Sequence, residues 1–315
     1  MFDQPPRYVD GLPRPERTLV MGVLNVTPDS FSDGGRYLDP LPAVQHGLRL
    51  VDDGADLVDV GGESTRPGAV RPSVQEELDR VLPVITALVG TGVLVSVDTM
   101  RASVAAEAVA AGAVLVNDIS GGRADADMLP TVARLRTPYI LMHWRAHARE
   151  MAQYTAYDDV VDDVITELRE QLTAARQAGV AADRIAVDPG IGFSKTADQN
   201  WDVLAGMGRL HALGHPVLIA TSRKRFLGAL LADHEGELRP TEEREDATTA
   251  TSALAAVAGA WCIRTHSVRA ALDAVHVARR WATPAGAGPG VGTGTADPGA
   301  GTTRSPSMDR RTGGH

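Results

Sequence analysis

Residues 21–35 read MGVLNVTPDSFSDGG and join a short apolar run to a polar loop. The apolar run, Leu19 to Leu24, has the length and composition of a buried strand, and it ends on Asn25. The loop that follows is rich in Pro and Gly, which favour turns. Asn25 and Asp33 offer oxygens that suit a hard cation, and Gly34-Gly35 lets the backbone approach a ligand closely. Taken alone, the stretch is equally compatible with a mobile surface loop.

The same pattern, an apolar run that ends on polar residues, recurs seven more times along the chain. Segments with helical spacing separate the runs, and this alternation favours a parallel sheet because each crossover needs its own helix. Continuously apolar, Val-rich runs are typical of strands covered on both faces. Eight repeats predict an α/β fold of the (β/α)8 TIM-barrel type. The alternative is an open doubly wound sheet, but no Gly-x-Gly-x-x-Gly turn follows the first strand.

The predicted strands are 19–24, 56–60, 93–97, 114–116, 139–142, 184–187, 217–219 and 261–263. The predicted helices are 41–52, 74–89, 101–111, 127–136, 158–178, 201–210, 244–258 and 268–281.

Composition limits the classes of function. The formal net charge of −9 argues against a general nucleic-acid binder, although a locally basic pocket for one small anion is compatible with it. Cys262 is the only cysteine, which excludes an internal disulfide and a cysteine metal cluster and suits a reducing cytoplasm. The first eighteen residues lack the apolar core of a signal peptide. No apolar run approaches the ~20 residues that span a bilayer, so we expect no membrane association.

Differences in composition along the chain divide it into three segments. Residues 18–282 carry all the repeats and form the predicted barrel domain. Residues 1–17 are rich in Pro, Arg and Asp, and we expect a loosely attached arm. From Thr283 to residue 315 the chain is mostly Gly, Pro, Ala, Thr and Ser and cannot offset its ordering entropy by burial, which predicts a disordered tail.

Polar side chains stand where the strands end, and in a barrel the carboxyl ends of all strands meet at one rim. The alternative for a single Asp at such a position is a helix N-cap, but equivalent positions on several strands make capping insufficient. Alternation along a strand places Asp98, Asn117, Asp188 and Arg264 on one face, the predicted interior. This set suits a flat heterocycle with several N–H donors. The predicted rim comprises Asn25, Glu63, Asp98, Asn117, His143, Asp188, Lys224, Arg264 and His266.

The seventh and eighth strands carry basic groups, Ser222-Arg223-Lys224-Arg225 and Arg264-Thr265-His266-Ser267, where barrels often bind phosphate. For Arg223 and Arg225 a solvated charge run is the alternative. The pattern around His143 predicts a packed or hydrogen-bonded side chain, since no metal-ligand spacing surrounds it. Asp59 shares a face with Leu57, and we interpret it as a buried, hydrogen-bonded structural carboxylate.

The chain resembles the dihydropteroate synthases over residues 18 to 282. The matching segments, in order, are residues 21–35, 59–68 (DVGGESTRPG), 96–99 (SVDT), 117–122 (NDISGG), 188–195 (DPGIGFSK), 222–224 (SRK) and 264–266 (RTH). One mild departure is Ala220-Thr221, where the family more often has a Gly-containing turn. The first two segments are long and highly specific.

The resemblance implies an enzyme that condenses 6-hydroxymethyl-7,8-dihydropterin pyrophosphate with 4-aminobenzoate to give 7,8-dihydropteroate and pyrophosphate, with Mg2+ as cofactor and a homodimer as the common assembly. Sulfonamides are then expected to compete for the aminobenzoate site. A second class stays open, a pterin-binding barrel without condensing activity, such as a silent paralogue or a protein that resembles methyltetrahydrofolate methyltransferases.

The resemblance also implies roles for individual residues. Asp33, Lys224 and Arg264 would take part in catalysis. The pterin would be held by Asp98, Asn117, Asp188 and Lys224, with Met142 lining the ring. Pyrophosphate would bind Asn25, Arg66, Arg264 and His266, with Asn25 also on the metal. Aminobenzoate would contact Thr65, Pro67, Phe193 and Lys224.

Overall fold

The computed structural model describes residues 8–27, 40–63, 71–147 and 149–283. The chain divides into two units, Met1–Ala282 and Thr283–His315. Of the predicted tail only Thr283 falls within the described residues.

Eight parallel strands lie in one sheet within the described ranges. They are β1 (Leu19–Asn25), β2 (Leu57–Gly61), β3 (Val95–Asp98), β4 (Leu115–Asp118), β5 (Tyr139–Met142), β6 (Ile185–Asp188), β7 (Leu218–Ile219) and β8 (Cys262–Thr265). Strands β1 to β6 pair in sequence order, and β8 lies between β7 and β1. A parallel bridge between Val187 and Val217 links β6 to the segment before β7, where Val187 N donates to Pro216 O at 2.8 Å. The ring of strands therefore closes, and the predicted barrel is confirmed.

Helices follow the strands as the alternation predicts. They are α1 (Leu41–Asp52), α2 (Val74–Gly90), α3 (Ala102–Ala110), α4 (Met128–Leu135), α5 (Val160–Gln177), α6 (Ala197–Ala205), α7 (Met207–Leu210), α8 (Arg225–Leu230), α9 (Glu245–Val257) and α10 (Val268–Ala282). The predicted helix 201–210 is wrong at its start, because Thr196 and Gln199 form a capping box that begins α6 at Ala197. The short helix α8 was not predicted.

Strand alternation divides the apolar side chains between two cores. Leu19 and Met21 of β1 pack inside the barrel with Leu57, Leu115 and other inward residues. Val20 and Leu24 point the other way and pack with the helices. The side-chain parity that we inferred from the sequence is therefore the parity of the folded strands.

The N-terminal segment is attached more firmly than expected. Val9 and Leu12 are buried and belong to the interior core, so they cover the barrel end opposite the polar rim. Asp10 N donates to Asp183 O at 2.8 Å, and the Arg17 guanidinium bonds both oxygens of Asp56, at 2.6 and 2.8 Å. Over residues 8–17 the expectation of a loose arm is wrong, because two apolar side chains among the polar ones are enough to anchor it.

Candidate active site

The carboxyl ends of the strands bring predicted site residues into one layer. Asn25 pairs with Gly61, Gly61 with Asp98, and Asp98 with Asn117, so β1 to β4 present these side chains at one level. On the other side Met142 pairs with Asp188. These residues come from distant parts of the sequence, and the closure of the barrel places them around one opening.

Arg264 binds two carboxylates inside this ring. Its Nε donates to Asp59 Oδ2 at 2.6 Å, and its Nη2 donates to Asp98 Oδ2 at 2.8 Å. Asn117 Nδ2 donates to the same Asp59 oxygen at 2.8 Å. We call these four residues the Arg264 network. The prediction that Asp59 is buried and hydrogen-bonded is confirmed, but its partners are two predicted site residues, which the sequence did not reveal.

The Arg264 network holds two carboxyl groups and one guanidinium. Burial raises the pKa of Asp98 to about 7; the Arg264 charge opposes this rise and Asp59 adds to it. Two buried polar atoms, Asp59 Oδ1 in the network and Ser96 Oγ on the neighbouring strand, have no hydrogen-bond partner among the described residues. Because buried polar atoms are normally satisfied, these two suit the donors of a polar ligand.

Asp188 faces the network from β6. Its Oδ1 accepts a hydrogen bond from Gly190 N at 2.7 Å, and burial raises its pKa while Lys224 opposes the rise. Met142, opposite it on β5, is buried and apolar. The two strands thus offer one polar and one apolar surface to a ligand in the opening.

Lys224 precedes helix α8 and reaches back to the loop after β6. Its Nζ donates to Ile191 O and lies 4.9 Å from the centre of the Phe193 ring. Burial lowers the pKa of Lys224 to about 8, with Asp188 acting in the opposite direction. An ammonium, an aromatic ring and a carboxylate are therefore brought together at this side of the rim.

His266 lies at the start of α10, a helix of 15 residues. Its Nδ1 is 2.9 Å from Ser222 Oγ, which also accepts the His266 backbone N–H at 3.1 Å. This contact joins the ends of the seventh and eighth strands, where the basic segments predicted a phosphate site. Arg223 is paired with Glu245, whereas Arg225 is exposed, as a solvated charge would be.

Other predicted residues have different surroundings. Glu63 pairs with Arg71 at 3.0 Å and lies 3.8 Å from Arg101. Cys262 is buried, which raises the pKa of its thiol. Four predicted site residues, Asp33, Thr65, Arg66 and Pro67, lie outside the described residues.

His143 is fully buried and hydrogen-bonded, as predicted. Its Nε2 lies 2.9 Å from Glu167 Oε2, and its Nδ1 lies 3.1 Å from Lys195 Nζ. From the sequence we predicted no role for Lys195. One signal was available, because Lys195 and Lys224 are the only lysines of a chain with 29 arginines.

A closed (β/α)8 barrel with carboxylates, an amide and partly buried cations around its carboxyl-terminal opening is the framework of an enzyme that binds a small, nitrogen-rich polar molecule. Comparison with known proteins narrows this class. The family model described as pterin binding enzyme matches residues 21–266.

Several of the similar proteins are named dihydropteroate synthase. The dihydropteroate synthase of Mycobacterium leprae is 52% identical over 264 residues, covering 83% of this chain and 93% of that protein. A Xanthomonas albilineans dihydropteroate synthase solved with 4-aminobenzoic acid is 45% identical, with a TM-score of 0.78 over 85% of this chain and 94% of that one. A Yersinia pestis dihydropteroate synthase in a sulfonamide complex is 39% identical, with a TM-score of 0.79 over 87% and 98%. The chain belongs to the dihydropteroate synthase family of pterin-binding enzymes.

Proposed function

We propose that this chain condenses 6-hydroxymethyl-7,8-dihydropterin pyrophosphate with 4-aminobenzoate, giving 7,8-dihydropteroate and pyrophosphate in folate biosynthesis. The observation that carries the proposal is the Arg264 network at the barrel opening, with Asp188 across from it. The M. leprae and X. albilineans relatives bear the name of this activity. The X. albilineans enzyme has also been solved with 7,8-dihydropteroate, and that chain is 43% identical with a TM-score of 0.75 over 85% of this chain and 95% of its own.

The pterin subsite lies between the network and Asp188. A pterin carries an amino group and ring N–H groups, which need acceptors, and ring nitrogens and a carbonyl, which need donors. Asp98 and Asp188 supply acceptors, while Asn117 and Lys224 supply donors. Met142 lines the apolar face of the ring. Because the pKa of Asp98 is about 7, this carboxyl is partly ionised at neutral pH, and its ionised form is the acceptor that the pterin N–H groups need.

The diphosphate tail would bind at Asn25 and His266, with Arg264 contributing one donor and Arg66 outside the described residues. Arg264 already shares its charge with two carboxylates, but neither contact uses Nη1, which keeps a donor for the diphosphate. The N-terminal amides of α10, next to His266, add favourable dipoles.

Mg2+ fits Asn25 as its protein ligand. Within the described residues no group of three or more His, Cys, Asp and Glu side chains is placed to hold a metal. Magnesium in phosphoryl sites commonly takes only one or two protein oxygens and is otherwise held by substrate phosphates and water. Bound there, Mg2+ would neutralise charge on the leaving pyrophosphate.

Aminobenzoate would lie against Phe193 and Lys224, with Thr65 and Pro67 as its further, undescribed neighbours. The ammonium suits the benzoate carboxylate, and the Phe193 ring suits the aromatic body. Sulfonamides are similar in shape to aminobenzoate, and we propose that they compete with it for this subsite. The Yersinia pestis relative has been solved in a complex with a sulfonamide.

Cleavage of the C–O bond would release pyrophosphate and leave a cationic pterin methylene, which Asp98 and Asp59 stabilise. The nitrogen of the neutral aniline then forms the C–N bond and gives up one proton to the departing pyrophosphate or to solvent. Lys224 and Arg264 orient the two reactants. The resemblance assigns a further part in catalysis to Asp33, which lies outside the described residues. Positional isotope exchange within the pyrophosphate supports this dissociative route; its absence, with a rate that depends steeply on amine nucleophilicity, supports direct displacement.

One assay tests the function. Purified protein, Mg2+, the pterin pyrophosphate and labelled aminobenzoate should yield labelled dihydropteroate. Calorimetry with the pterin pyrophosphate alone separates the alternatives: binding without product identifies a non-condensing pterin-binding barrel, and absence of both binding and product refutes the assignment.

A homodimer is our proposed assembly. Helices α9 and α10 pack against each other and expose Leu254 (67%), Val277 (62%) and Trp281 (84%). An exposed apolar surface of this kind suits a second copy of the chain. Trp281→Glu should convert the dimer to monomer in sedimentation, whereas Leu230→Glu on α8 should not; an unchanged Trp281→Glu dimer contradicts this interface.

We propose a cytoplasmic location, on the grounds of the single buried cysteine. In the described part of the chain no helix is both long and apolar enough to cross a bilayer. Immunodetection in cell fractions tests the location, and recovery outside the cytoplasmic fraction contradicts it.

A further inference from the structure

The two lysines of the chain converge on one loop. The chain uses arginine at 29 of its 31 basic positions. The exceptions both place an ammonium on backbone carbonyls of the segment that follows β6: Lys224 Nζ on Ile191 O, and Lys195 Nζ on Gly190 O and Phe193 O. An ammonium is compact and donates in three directions, whereas a guanidinium is planar and forked. The contacts explain why these two positions differ from the rest.

Lys195 has a full set of acceptors. Its Nζ lies 3.1 Å from Gly190 O, 3.2 Å from Phe193 O and 3.1 Å from His143 Nδ1. A protonated lysine carries three N–H donors. The three acceptors therefore match the charged form of Lys195. A neutral amine has only two N–H donors, so its lone pair would face the third acceptor and repel it.

His143 is locked as an acceptor toward Lys195. Glu167 faces His143 Nε2 at 2.9 Å and also accepts hydrogen bonds from Arg145. Burial raises the pKa of Glu167, but the bonds from His143 and Arg145 outweigh it and hold the pKa at about 2. Burial, with Lys195, lowers the pKa of His143 to about 4, so the ring is neutral at pH 7. An ionised Glu167 requires the proton on Nε2, which leaves Nδ1 as the acceptor.

The carbonyls of the loop are held from two sides. Lys224 donates a hydrogen bond to Ile191 O on the side of the barrel opening. Lys195 donates hydrogen bonds to Gly190 O and Phe193 O on the other side of the loop. Tyr157 Oη donates to Ser194 O at 3.0 Å, and Thr196 caps helix α6 immediately afterwards. The ring of Phe193 is thus carried by a segment whose position depends on these donors.

Gly190 shows how tightly the loop is held. A Cβ on Gly190, whose φ is +70°, would lie 2.5 Å from His143 O and 3.5 Å from Lys195 Nζ. The backbone N–H of the same glycine binds the Asp188 carboxylate. A shift of this backbone therefore moves mainly the Phe193 side of the opening, because Asp188 is held in place by its own strand.

We propose that Lys195 is a positioning residue for the aminobenzoate subsite, and that Glu167, acting through His143, keeps Lys195 in the donor state that holds the Phe193 loop. This inference rests on the proposed function, since Phe193 is assigned to aminobenzoate there. Lys195 itself touches backbone carbonyls and a histidine.

The charged groups around Lys195 make its hydrogen bonds to the Phe193 loop sensitive to pH. Burial lowers the pKa of Lys195 to about 7; Asp188 and Glu167 oppose the decrease, whereas Lys224 and Arg145 add to it. His143 is neutral there, and the Tyr157 ring lies 6.0 Å from Nζ. As pH rises through this pKa, Lys195 loses one donor and the loop loosens. Aminobenzoate, whose benzoate and aniline groups titrate in acid, keeps its charge over the same range.

Carbon-13 labelling of lysine Cε gives a direct readout, because an untagged chain shows only two side-chain signals. Titration of the full chain yields both lysine pKa values, and Lys195→Met assigns them. Aminobenzoate, added with Mg2+ and pyrophosphate, should raise the Lys195 pKa, since a ligand that prefers the charged form must stabilise it reciprocally. An unchanged or lowered Lys195 pKa overturns the proposal.

Kinetics separate positioning from general structural support. Lys195→Met should raise KM for aminobenzoate by about tenfold or more, the effect expected when charged hydrogen bonds are lost. KM for the pterin pyrophosphate should change by less than about threefold, since most of its contacts remain. In the wild type KM for aminobenzoate should rise with pH in two steps, first along the Lys195 titration and then along that of Lys224, which contacts the benzoate carboxylate directly. Lys195→Met should lack the first step and keep the second. Equal effects on both KM values overturn the proposal.

If Lys195→Met does not fold, two substitutions of His143 test the proposal instead. His143→Asn keeps an acceptor near the Nδ1 position, whereas His143→Gln keeps a donor toward Glu167 and lacks that acceptor. His143→Gln should lower the Lys195 pKa and raise KM for aminobenzoate, and His143→Asn should stay within about threefold of wild type, because the lost acceptor is the decisive contact. Identical behaviour of the two variants overturns the proposal. A wild type without synthase activity refutes the proposed function instead, while the lysine titration remains measurable.

Discussion

Replacement of Arg264 by Met tests the central charge arrangement of the site. In the native protein the guanidinium bonds Asp59 at 2.6 Å and Asp98 at 2.8 Å. The Asp59 side chain is completely buried, and that of Asp98 is 12% exposed. Arg264→Met has a similar stem and removes the only charge that balances the two carboxyls within the network.

The expected loss of stability follows from that burial. Removing one partner of a buried ion pair costs about 3–5 kcal/mol, because the remaining charge is left uncompensated. The partial exposure of Asp98 points to the lower end, about 3 kcal/mol at pH 8. The resemblance implied that Arg264 binds pyrophosphate and takes part in catalysis. The two carboxylate contacts add a structural role, so the structure predicts loss of both turnover and stability.

The pH dependence has a definite sign. Asp98 has a native pKa of about 7, against about 3.9 in an unfolded chain. Between these values the folded state binds more protons than the unfolded state, so stability falls as pH rises. Loss of Arg264 raises the Asp98 pKa further and steepens this fall. The difference in unfolding free energy between wild type and variant should therefore shrink by at least about half from pH 8 to pH 5, as protonation removes the unpaired charge.

Urea unfolding at pH 5 and pH 8, followed by tryptophan fluorescence, to which the buried Trp261 contributes, measures this difference. Arg269→Met is the matched control, since Arg269 pairs with Asp53 on the surface with 73% of its side chain exposed. The control should lose less than about 1 kcal/mol. An Arg264→Met loss below about 1 kcal/mol at pH 8, or an equal loss at both pH values, would refute the reasoning.

Three further substitutions test other parts of the structure. Asp98→Asn should weaken pterin binding by about 1–3 kcal/mol in calorimetry, and should abolish the rise in affinity with pH near 7 that follows from ionisation of this carboxyl. Gly192→Ala should raise KM for aminobenzoate, because φ is +81° and the new Cβ would lie 2.8 Å from Lys224 Cδ. Leu12→Ala should lower the unfolding free energy by about 2–5 kcal/mol in urea, as for other buried leucines.

Each of the three has a control and a contrary outcome. Unchanged pterin affinity in Asp98→Asn would exclude Asp98 from the pterin subsite. Gly208→Ala, with open space around the new Cβ, should leave KM unaltered, and an equal effect at both glycines would discount the Lys224 contact. Leu230→Ala, which is exposed, should change stability by less than about 0.5 kcal/mol. A comparable small change at Leu12 would mean that the N-terminal segment does not stabilise the barrel.

The sequence predicted the barrel well because the relevant information is local. Apolar runs of strand length alternate with helical spacing, and eight such units have one common closed arrangement. Element ends differ from the prediction by one or two residues in most cases, since helices fray and their caps depend on neighbouring groups. The larger error, at α6, arose because the capping box at Thr196 was overlooked.

The N-terminal segment shows where composition misleads. Residues 8–17 are polar on average, and an average conceals the two side chains that matter. Val9 and Leu12 are covered only because the barrel interior opens beneath them. Burial of single residues in a polar segment depends on the surface that receives them.

What the sequence determined by itself was the fold and the chemical types at the ends of the strands, because both follow from short-range periodicity. Which of those groups bind each other was decided by the tertiary structure. Arg264 and Asp59 are 205 residues apart, and Lys195 meets His143 across 52 residues. Their charges, pKa values and hydrogen-bond roles depend on distances of about 3 Å, which only the closed barrel sets.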